Sequence, residues 1–251
     1  MALLERALGA PVTDVRAEMV TGGRGVETER VTYVRDGVTV SLLLERFAAD
    51  DARDVKLLPF LGRKTDRVPV VQARGEPHVT GARHWLLRED TGTATACDAV
   101  PLAIIDAKLA IERAVVGDGP ALKALGVPLR SPSDIVDEVA AVVGEAGLDD
   151  ARLAAKWLRR WPVVLCHGDL RCDTAALTPR GAVLTGWRRA HLGCGLVDVV
   201  RLSADLGARG HAILGVDLPK KYAEAADVPL SSETLRAAEL IERLERRHLR
   251  P

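Results

Sequence analysis

The stretch Val163–Leu206, VVLCHGDLRCDTAALTPRGAVLTGWRRAHLGCGLVDVVRLSADL, decides the fold of this chain. It opens with a short apolar run, Val163-Val164-Leu165, which is followed at once by His167-Gly168-Asp169. After a turn that contains proline and glycine comes a second apolar run, Ala182–Thr185, and the segment Gly193–Leu202 then has the spacing of a helix start. Short apolar runs bounded by turn residues predict buried strands. The stretch therefore predicts a strand, a polar loop, a hairpin and a helix.

This order resembles the active-site region of the aminoglycoside phosphotransferase and choline kinase family, where H-G-D-x-x-x-x-N precedes a strand that ends in Asp-Trp. The resemblance implies an α+β, two-lobed, protein-kinase-like fold, with an N-terminal antiparallel sheet plus helix and a mostly helical C-terminal lobe. It also implies ATP and Mg²⁺ as cofactors, Asp169 as the candidate base and His167 as a further catalytic-loop residue. Asp198 stands at the acidic position of the family's helix entry, and we expect it to bond the backbone or His167.

The same region departs from the family at the positions that hold the metal. Thr174 stands at the Asn position, and Gly186-Trp187 replaces Asp-Trp. A shift of the alignment does not restore the missing group, because the sequence has no Asp or Glu between Thr174 and Val197. Asp173 and Thr174 remain as the candidate metal ligands.

A second departure lies near the N-terminus. Gly22, Gly23 and Gly25 fall where the family's first hairpin covers the nucleotide phosphates, although glycines suit any tight turn and an ordinary hairpin is the alternative. Glu45 occupies the place of the phosphate-binding lysine on the strand that follows, and no lysine precedes Lys56. A carboxylate beside the phosphates would repel them.

The pattern of apolar residues predicts the elements on either side of a hinge. Strands are expected at 15–20, 26–34 and 38–47, with the turn Asp36-Gly37, then a helix at 50–61 and strands at 68–71 and 84–87. Helices are expected at 103–116, from Ser131-Pro132 onward with Ser131 as cap, and at 235–249, the last begun near Ser231 or Ser232. The predicted lobes are 1–88 and 89–251, the second of which contains the catalytic-loop-like segment 163–206. By the resemblance, Glu89 lies at the hinge, where the family contacts the adenine.

Composition limits the classes of partner. The chain has 251 residues, is 47% hydrophobic, and balances 35 basic against 35 acidic residues. No net charge attracts nucleic acid, and no apolar run suits a membrane span, so we expect neither partner and a cytoplasmic location. Aromatic residues make up 3% of the chain, too few for a choline-type cage.

Other interpretations of the same residues stay open. His167 and Asp169 could serve only to hydrogen-bond a tight loop. Cys166, His167, Cys172, His191 and Cys194 come from two loops that the fold would bring together, and a zinc site is one interpretation, although the spacings match no standard motif. For a cytosolic chain the four cysteines are expected to be unpaired thiols.

The sequence thus predicts a degenerate phosphotransferase-like protein, a pseudokinase that serves as a non-catalytic small-molecule-binding or interaction module. Binding of ATP and Mg²⁺ is expected to be impaired, and the partner is a small molecule or another protein. The alternative is an active ATP-dependent phosphotransferase that uses Asp169 as base toward a small-molecule hydroxyl.

Overall fold

A computed structural model of the chain describes residues 2–20, 26–48, 53–75, 83–92, 97, 101–143, 145–210 and 217–248. Its N-terminal part is an antiparallel sheet with two helices, and its C-terminal part is mostly helical. No described helix has the length and apolar character needed to cross a bilayer.

The N-terminal elements, in chain order, are α1 (Ala2–Leu8), β1 (Thr13–Val20), β2 (Val26–Arg35), β3 (Val38–Phe47), α2 (Arg53–Gly62), β4 (Val71–Gly75) and β5 (His84–Glu89). The C-terminal elements are α3 (Pro101–Ala114), α4 (Gly119–Ala124), α5 (Pro132–Val143), α6 (Glu145–Leu158), β6 (Val163–Cys166), β7 (Ala175–Thr178), β8 (Gly181–Leu184), β9 (His191–Cys194), α7 (Gly195–Ala208), α8 (Leu218–Ala225) and α9 (Ser232–His248). Single 3₁₀ turns cover Cys172–Thr174 and Trp187–Arg189.

The five N-terminal strands form one antiparallel sheet in the order β1-β2-β3-β5-β4. Asp36 and Gly37 both have positive φ, 51° and 75°, which is the geometry of the tight hairpin turn predicted between β2 and β3. The strand predicted at 68–71 begins only at Val71. Val68 is apolar because it is buried in the core, and Pro69 has no N–H to donate to a ladder.

The alternation of side chains along β3 sends two sets of residues to different cores. Leu42 and Leu44 pack with Tyr33 and Leu4 in a small cluster that lies under α1. Phe47 joins the main core. Because successive side chains of a strand point to opposite faces, Glu45 lies on the face of Phe47, toward α2.

The main core continues from α2 through α3 and into the C-terminal helices. Two short ribbons, β6-β9 and β7-β8, carry the loops of Val163–Leu206. Serine hydroxyls accept hydrogen bonds at two helix starts: the Ser131 hydroxyl from the Asp134 amide (3.3 Å) and the Ser231 hydroxyl from the Thr234 amide (3.1 Å). Both helix starts agree with the sequence prediction.

Candidate functional site

The loop after β6 is shaped by a glycine. Gly168 has φ +79°, and a Cβ at this position would lie 2.1 Å from the carbonyl oxygen of Arg189. Any other residue would therefore be strained in its backbone and would also collide with the turn that precedes β9. The consequence is that His167-Gly168-Asp169 passes directly against the Trp187–Arg189 turn.

Asp198, near the start of α7, holds this loop in place. Its carboxylate accepts hydrogen bonds from the backbone amides of His167 (2.6 Å) and Gly168 (2.9 Å) and from the Lys108 ammonium (3.1 Å). Burial acts to raise the pKa of Asp198, but Lys108 and its other cationic neighbours outweigh burial and lower that pKa well below the ordinary value. Asp198 is thus ionised and structural, as the sequence predicted.

Lys108 extends this support into a buried charge network. It also pairs with Glu112 (2.6 Å), and the Tyr222 hydroxyl donates to the same carboxylate (3.0 Å). The ammonium lies between two carboxylates in the interior, and each group is paired, as buried charges must be. The catalytic-loop backbone is therefore tied to α3, α7 and α8.

His167 is used entirely in loop structure. Its Nδ1 accepts the amide proton of Asp169 (3.3 Å), so its Nε2 must carry the ring proton that it donates to the Thr185 carbonyl (2.8 Å). Burial lowers the pKa of His167, which agrees with this neutral form. The ring also packs against Trp187, with centroids 4.7 Å apart.

Asp169, the candidate base, faces a cavity of about 370 Å³. Its two carboxylate oxygens lie 3.1 Å from Nε and from a terminal nitrogen of Arg171. The side chain retains 30% of its exposure. Asp169 is therefore accessible, but a guanidinium already occupies both of its oxygens.

The candidate metal ligands are engaged elsewhere. The Thr174 hydroxyl accepts from the Arg171 amide (2.9 Å) and lies 2.9 Å from the Arg171 carbonyl oxygen. Asp173 is half exposed and is turned toward Arg171 (3.7 Å) and Arg209 (3.6 Å). Gly186 is left-handed, with φ 75° and ψ 52°, and supplies no side chain.

No set of three or more His, Cys, Asp or Glu side chains within the described ranges is placed to hold a metal ion. The zinc interpretation also loses a ligand, because Cys172 forms a disulfide with Cys97. The expectation of four unpaired thiols is thus wrong for this pair, whereas Cys166 and Cys194 are free and buried. The paired cysteines are 75 positions apart in the sequence, so no local spacing predicts the bond.

A nearly buried ion pair connects β3 to β5. Glu45 on β3, which the resemblance places at the position of the phosphate-binding lysine, pairs with Arg88 on the neighbouring strand β5 at 2.6 Å. The positive charge of this part of the sheet is therefore carried by Arg88 on β5. Sequence reasoning missed Arg88, although a lone arginine in the apolar strand HWLLRE was a signal that it has a buried partner.

Asp54, in the first turn of α2, is a second buried carboxylate beside this pair. Burial, reinforced by the charge of Glu45, raises the pKa of Asp54 to about 7. One of its oxygens has no hydrogen-bond partner among the residues described. The neighbouring Arg53 donates to the carbonyls of Arg188 (2.7 Å) and Ala190 (2.8 Å), which ties α2 to the turn that contains Gly186-Trp187.

Glu89, the predicted hinge contact, is also occupied. Its carboxylate accepts from the Val70 amide (3.1 Å) and forms an ion pair with Arg180 of the β7-β8 turn. It thereby connects the end of β5 to the C-terminal part of the chain. Gly22, Gly23 and Gly25 lie outside the described residues.

Comparison with solved structures identifies the architecture. Aminoglycoside-3'-phosphotransferase of type VIII superposes with a TM-score of 0.59 over 91% of this chain and 93% of its own, at 19% identity. Aminoglycoside phosphotransferase APH(3'')-Id from Streptomyces rimosus, in complex with ADP and streptomycin, gives 0.63 over 97% of both chains, at 19% identity. A putative aminoglycoside phosphotransferase from Ralstonia eutropha gives 0.64 over 96% and 84%, at 15% identity.

No protein-family model matches the chain, and no curated protein matches it either. The identities to the solved structures are low, so these similarities concern the fold. The first two superpositions cover more than nine tenths of both chains, and the third covers 96% of this chain and 84% of the other. The chain has the protein-kinase-like fold of the aminoglycoside phosphotransferases.

Proposed function

We propose that this protein is a non-catalytic relative of the kinase-like phosphotransferases, whose cleft binds a small molecule or presents a surface to a partner protein. The observation that carries the proposal is the buried Glu45–Arg88 pair at the lysine position. A carboxylate that has merely replaced a lysine would be left unpaired and costly. Here the neighbouring strand supplies a matched cation, so the cleft is rebuilt around the change.

The charges on this side of the cleft oppose a nucleotide. Glu45 and Asp54 place two carboxylates beside Arg88. Arg88 is already committed to Glu45, with a further hydrogen bond to the Glu89 carbonyl (3.1 Å). A polyphosphate entering here would meet like charge in a partly buried setting, where Coulomb repulsion is stronger than in water.

The metal side supports the same conclusion. Phosphoryl transfer depends on positioning and on electrostatic clamps, each of which contributes on the order of several kcal/mol. Thr174 offers a neutral hydroxyl that is engaged with its own loop, and Gly186 offers nothing. Since lysine, asparagine and aspartate are replaced together, little turnover is expected.

The alternative is an active ATP-dependent phosphotransferase with Asp169 as base. One observation favours it: the loop that presents Asp169 is fully supported by Asp198, and Asp169 remains accessible to a cavity. Such a site would have to recruit Mg²⁺ through other groups, and Asp173 beside Asp169 is the candidate. Displacing Arg171 from Asp169 would be the first requirement.

Melting curves with and without magnesium and ADP or ATP separate the two functions. A ligand at about 100 times its dissociation constant adds about 2.7 kcal/mol to the free energy of unfolding. For a chain of this size that raises Tm by roughly 5 to 10 °C. We expect no such shift here, whereas the Streptomyces rimosus protein, measured alongside, should show it.

A charge-exchanged variant serves as the matched comparison. Glu45→Lys with Arg88→Met returns the positive charge to β3, and Gly186→Asp restores a carboxylate. A Cβ at Gly186 would have no atom closer than 3.9 Å, and aspartate tolerates left-handed backbone better than most residues. The variant should gain a nucleotide-dependent shift. A full shift in the wild type, with phosphate transfer to streptomycin or another hydroxyl compound, would overturn the proposal.

A further inference from the structure

The cavity beside Asp169 is built from three parts of the chain. The catalytic loop contributes Asp169 and Arg171, and the turn before β9 contributes Arg189. Helices α7 and α9 supply the remaining charged walls. Altogether the lining contains four arginines and three carboxylates, which is an unusual concentration of charge around about 370 Å³.

Each carboxylate of the lining already has an arginine. Asp169 is paired with Arg171, as described above. Glu242 on α9 is paired with Arg246 one turn later, at 3.0 Å. Asp205 on α7 is paired with Arg209 at 3.0 Å, outside the lining. No carboxylate of the lining is therefore left over to attract a cation.

One arginine of the lining, by contrast, has no partner among the described residues. Arg189 is exposed, and its guanidinium makes no hydrogen bond or ion pair within the part of the chain that the structure describes. Arg201, by contrast, is held by Glu245 and by the Gly168 carbonyl. Arg189 is thus the arginine of the lining whose guanidinium has no partner among the described residues, whereas the other arginines of the lining are paired. An unpaired guanidinium suits a carboxylate or a phosphate.

A second, independent feature lies in the wall. Glu242 is only 2% exposed, and its Oε1 has no hydrogen-bond partner among the described residues. In its ion pair with Arg201 that oxygen lies 3.8 Å from Nε, which is too far for a hydrogen bond. A buried acceptor left without a donor is costly, and Glu242 is one of the residues that line the cavity.

We propose that this cavity binds a small anionic metabolite, in which a carboxylate or phosphate pairs with Arg189 and a hydroxyl donates toward Glu242. The inference rests on the proposed function, because it names the ligand class of a cleft that does not transfer phosphate. It also predicts selectivity against polycations, since every carboxylate around the cavity is already paired.

The test uses the full-length chain and four probes: inorganic phosphate, glucose 6-phosphate, citrate and spermidine. Titration calorimetry at low ionic strength should detect binding of at least one of the three anions and none of spermidine. Glucose 6-phosphate against citrate distinguishes the phosphate from the carboxylate. Glucose 6-phosphate against inorganic phosphate shows whether the hydroxyl donors add affinity, as the unsatisfied Glu242 oxygen requires.

Arg189→Ala should weaken anion binding at least tenfold, and Arg189→Lys should weaken it less because the charge is kept. The matched control is Arg152→Ala, another exposed arginine, whose weak pairing with Asp149 lies on the surface of α6. Arg189 has no side-chain partner to lose, so its variants should fold. Unchanged Tm values would verify this.

The inference is overturned if none of the three anions binds, if spermidine binds more tightly than they do, or if Arg189→Ala binds them as the wild type does. These outcomes are separate from those of the nucleotide experiment. Anion binding lost with Arg189, together with a nucleotide shift and turnover, would overturn the non-catalytic function and leave the anion site standing. If the protein bound neither nucleotide nor any of the three anions, the non-catalytic function would stand and the anion site would be overturned.

Discussion

The two sides of the loop His167-Gly168-Asp169 differ sharply in how their polar groups are used. Behind the loop, Asp198 and Lys108 are buried, paired and hydrogen-bonded to the backbone that they hold. In front of it, Gly186 and Thr174 stand where metal ligands are expected, and Asp169 is clamped by Arg171. Residues that satisfy buried backbone groups are needed for folding, whereas residues that act on a substrate are not.

The nucleotide side shows the same division. The sheet, its register and the hairpin turn at Asp36-Gly37 are as the fold requires. Within this sheet Glu45 and Arg88 form a nearly buried ion pair. Under the proposed function, the fold is retained without the chemistry because this pair keeps the interior satisfied.

The largest effect is expected from Asp198→Ala. The substitution removes two backbone hydrogen bonds and leaves Lys108 with Glu112 as its one carboxylate partner among the residues that the structure describes. Breaking a buried pair in this way costs about 3 to 5 kcal/mol of unfolding free energy. Urea denaturation monitored by tryptophan fluorescence measures the loss.

The control for that experiment is Asp173→Ala, which removes an aspartate from the same loop where it is half exposed. Its partners lie at 3.6 and 3.7 Å, so the loss should stay below about 0.5 kcal/mol. Equal losses in the two variants would show that the Asp198 network does not support the loop.

The sequence predicted the scaffold well because local signals repeat there. The period-two pattern of β3, the turn at Asp36-Gly37 and the serine caps each depend on a few neighbouring residues. Asp198 was also predicted to be structural, since its position follows from the helix entry. The strand predicted at 68–71 was placed too early, because Val68 is a buried loop residue and burial of such a residue imitates strand periodicity.

The site was predicted less completely because its partners are distant in sequence. Arg88 contacts Glu45 on the neighbouring strand, and Cys97 bonds to Cys172, 75 positions further along the chain. Neither pair has a spacing that marks it. The absence of acidic residues between Thr174 and Val197 is plain in the sequence and does not depend on register, but the loss of metal binding that it predicts stays a prediction.

A smaller effect, and one that depends on pH, is expected at Asp54. Its pKa is raised from 3.8 to about 7, first by burial and then by Glu45. The folded state therefore holds a proton that the unfolded state has released, so this group's contribution to stability is lost as pH rises from about 4 to about 7. The slope is at most about 1.4 kcal/mol per pH unit.

Comparing the wild type with Asp54→Asn isolates this contribution. Burial lowers the pKa of His167 and His191, which gives the opposite slope below about pH 6.5, but these groups are present in both proteins. The difference in unfolding free energy between the two should change steadily between pH 4 and 7 and level off above. A constant difference would show that Asp54 titrates normally.

A small effect is also expected from Asp169→Ala, which tests the contrast with Asp198 most directly. The amide that donates to His167 belongs to the backbone and is kept, and Arg171 is 42% exposed, so water replaces the lost carboxylate. Urea denaturation should show a loss below about 1 kcal/mol, as for other solvent-accessible ion pairs. A loss as large as that of Asp198→Ala would mean that the Asp169 side chain is needed for folding. The two sides of the loop would then not differ in the way described above.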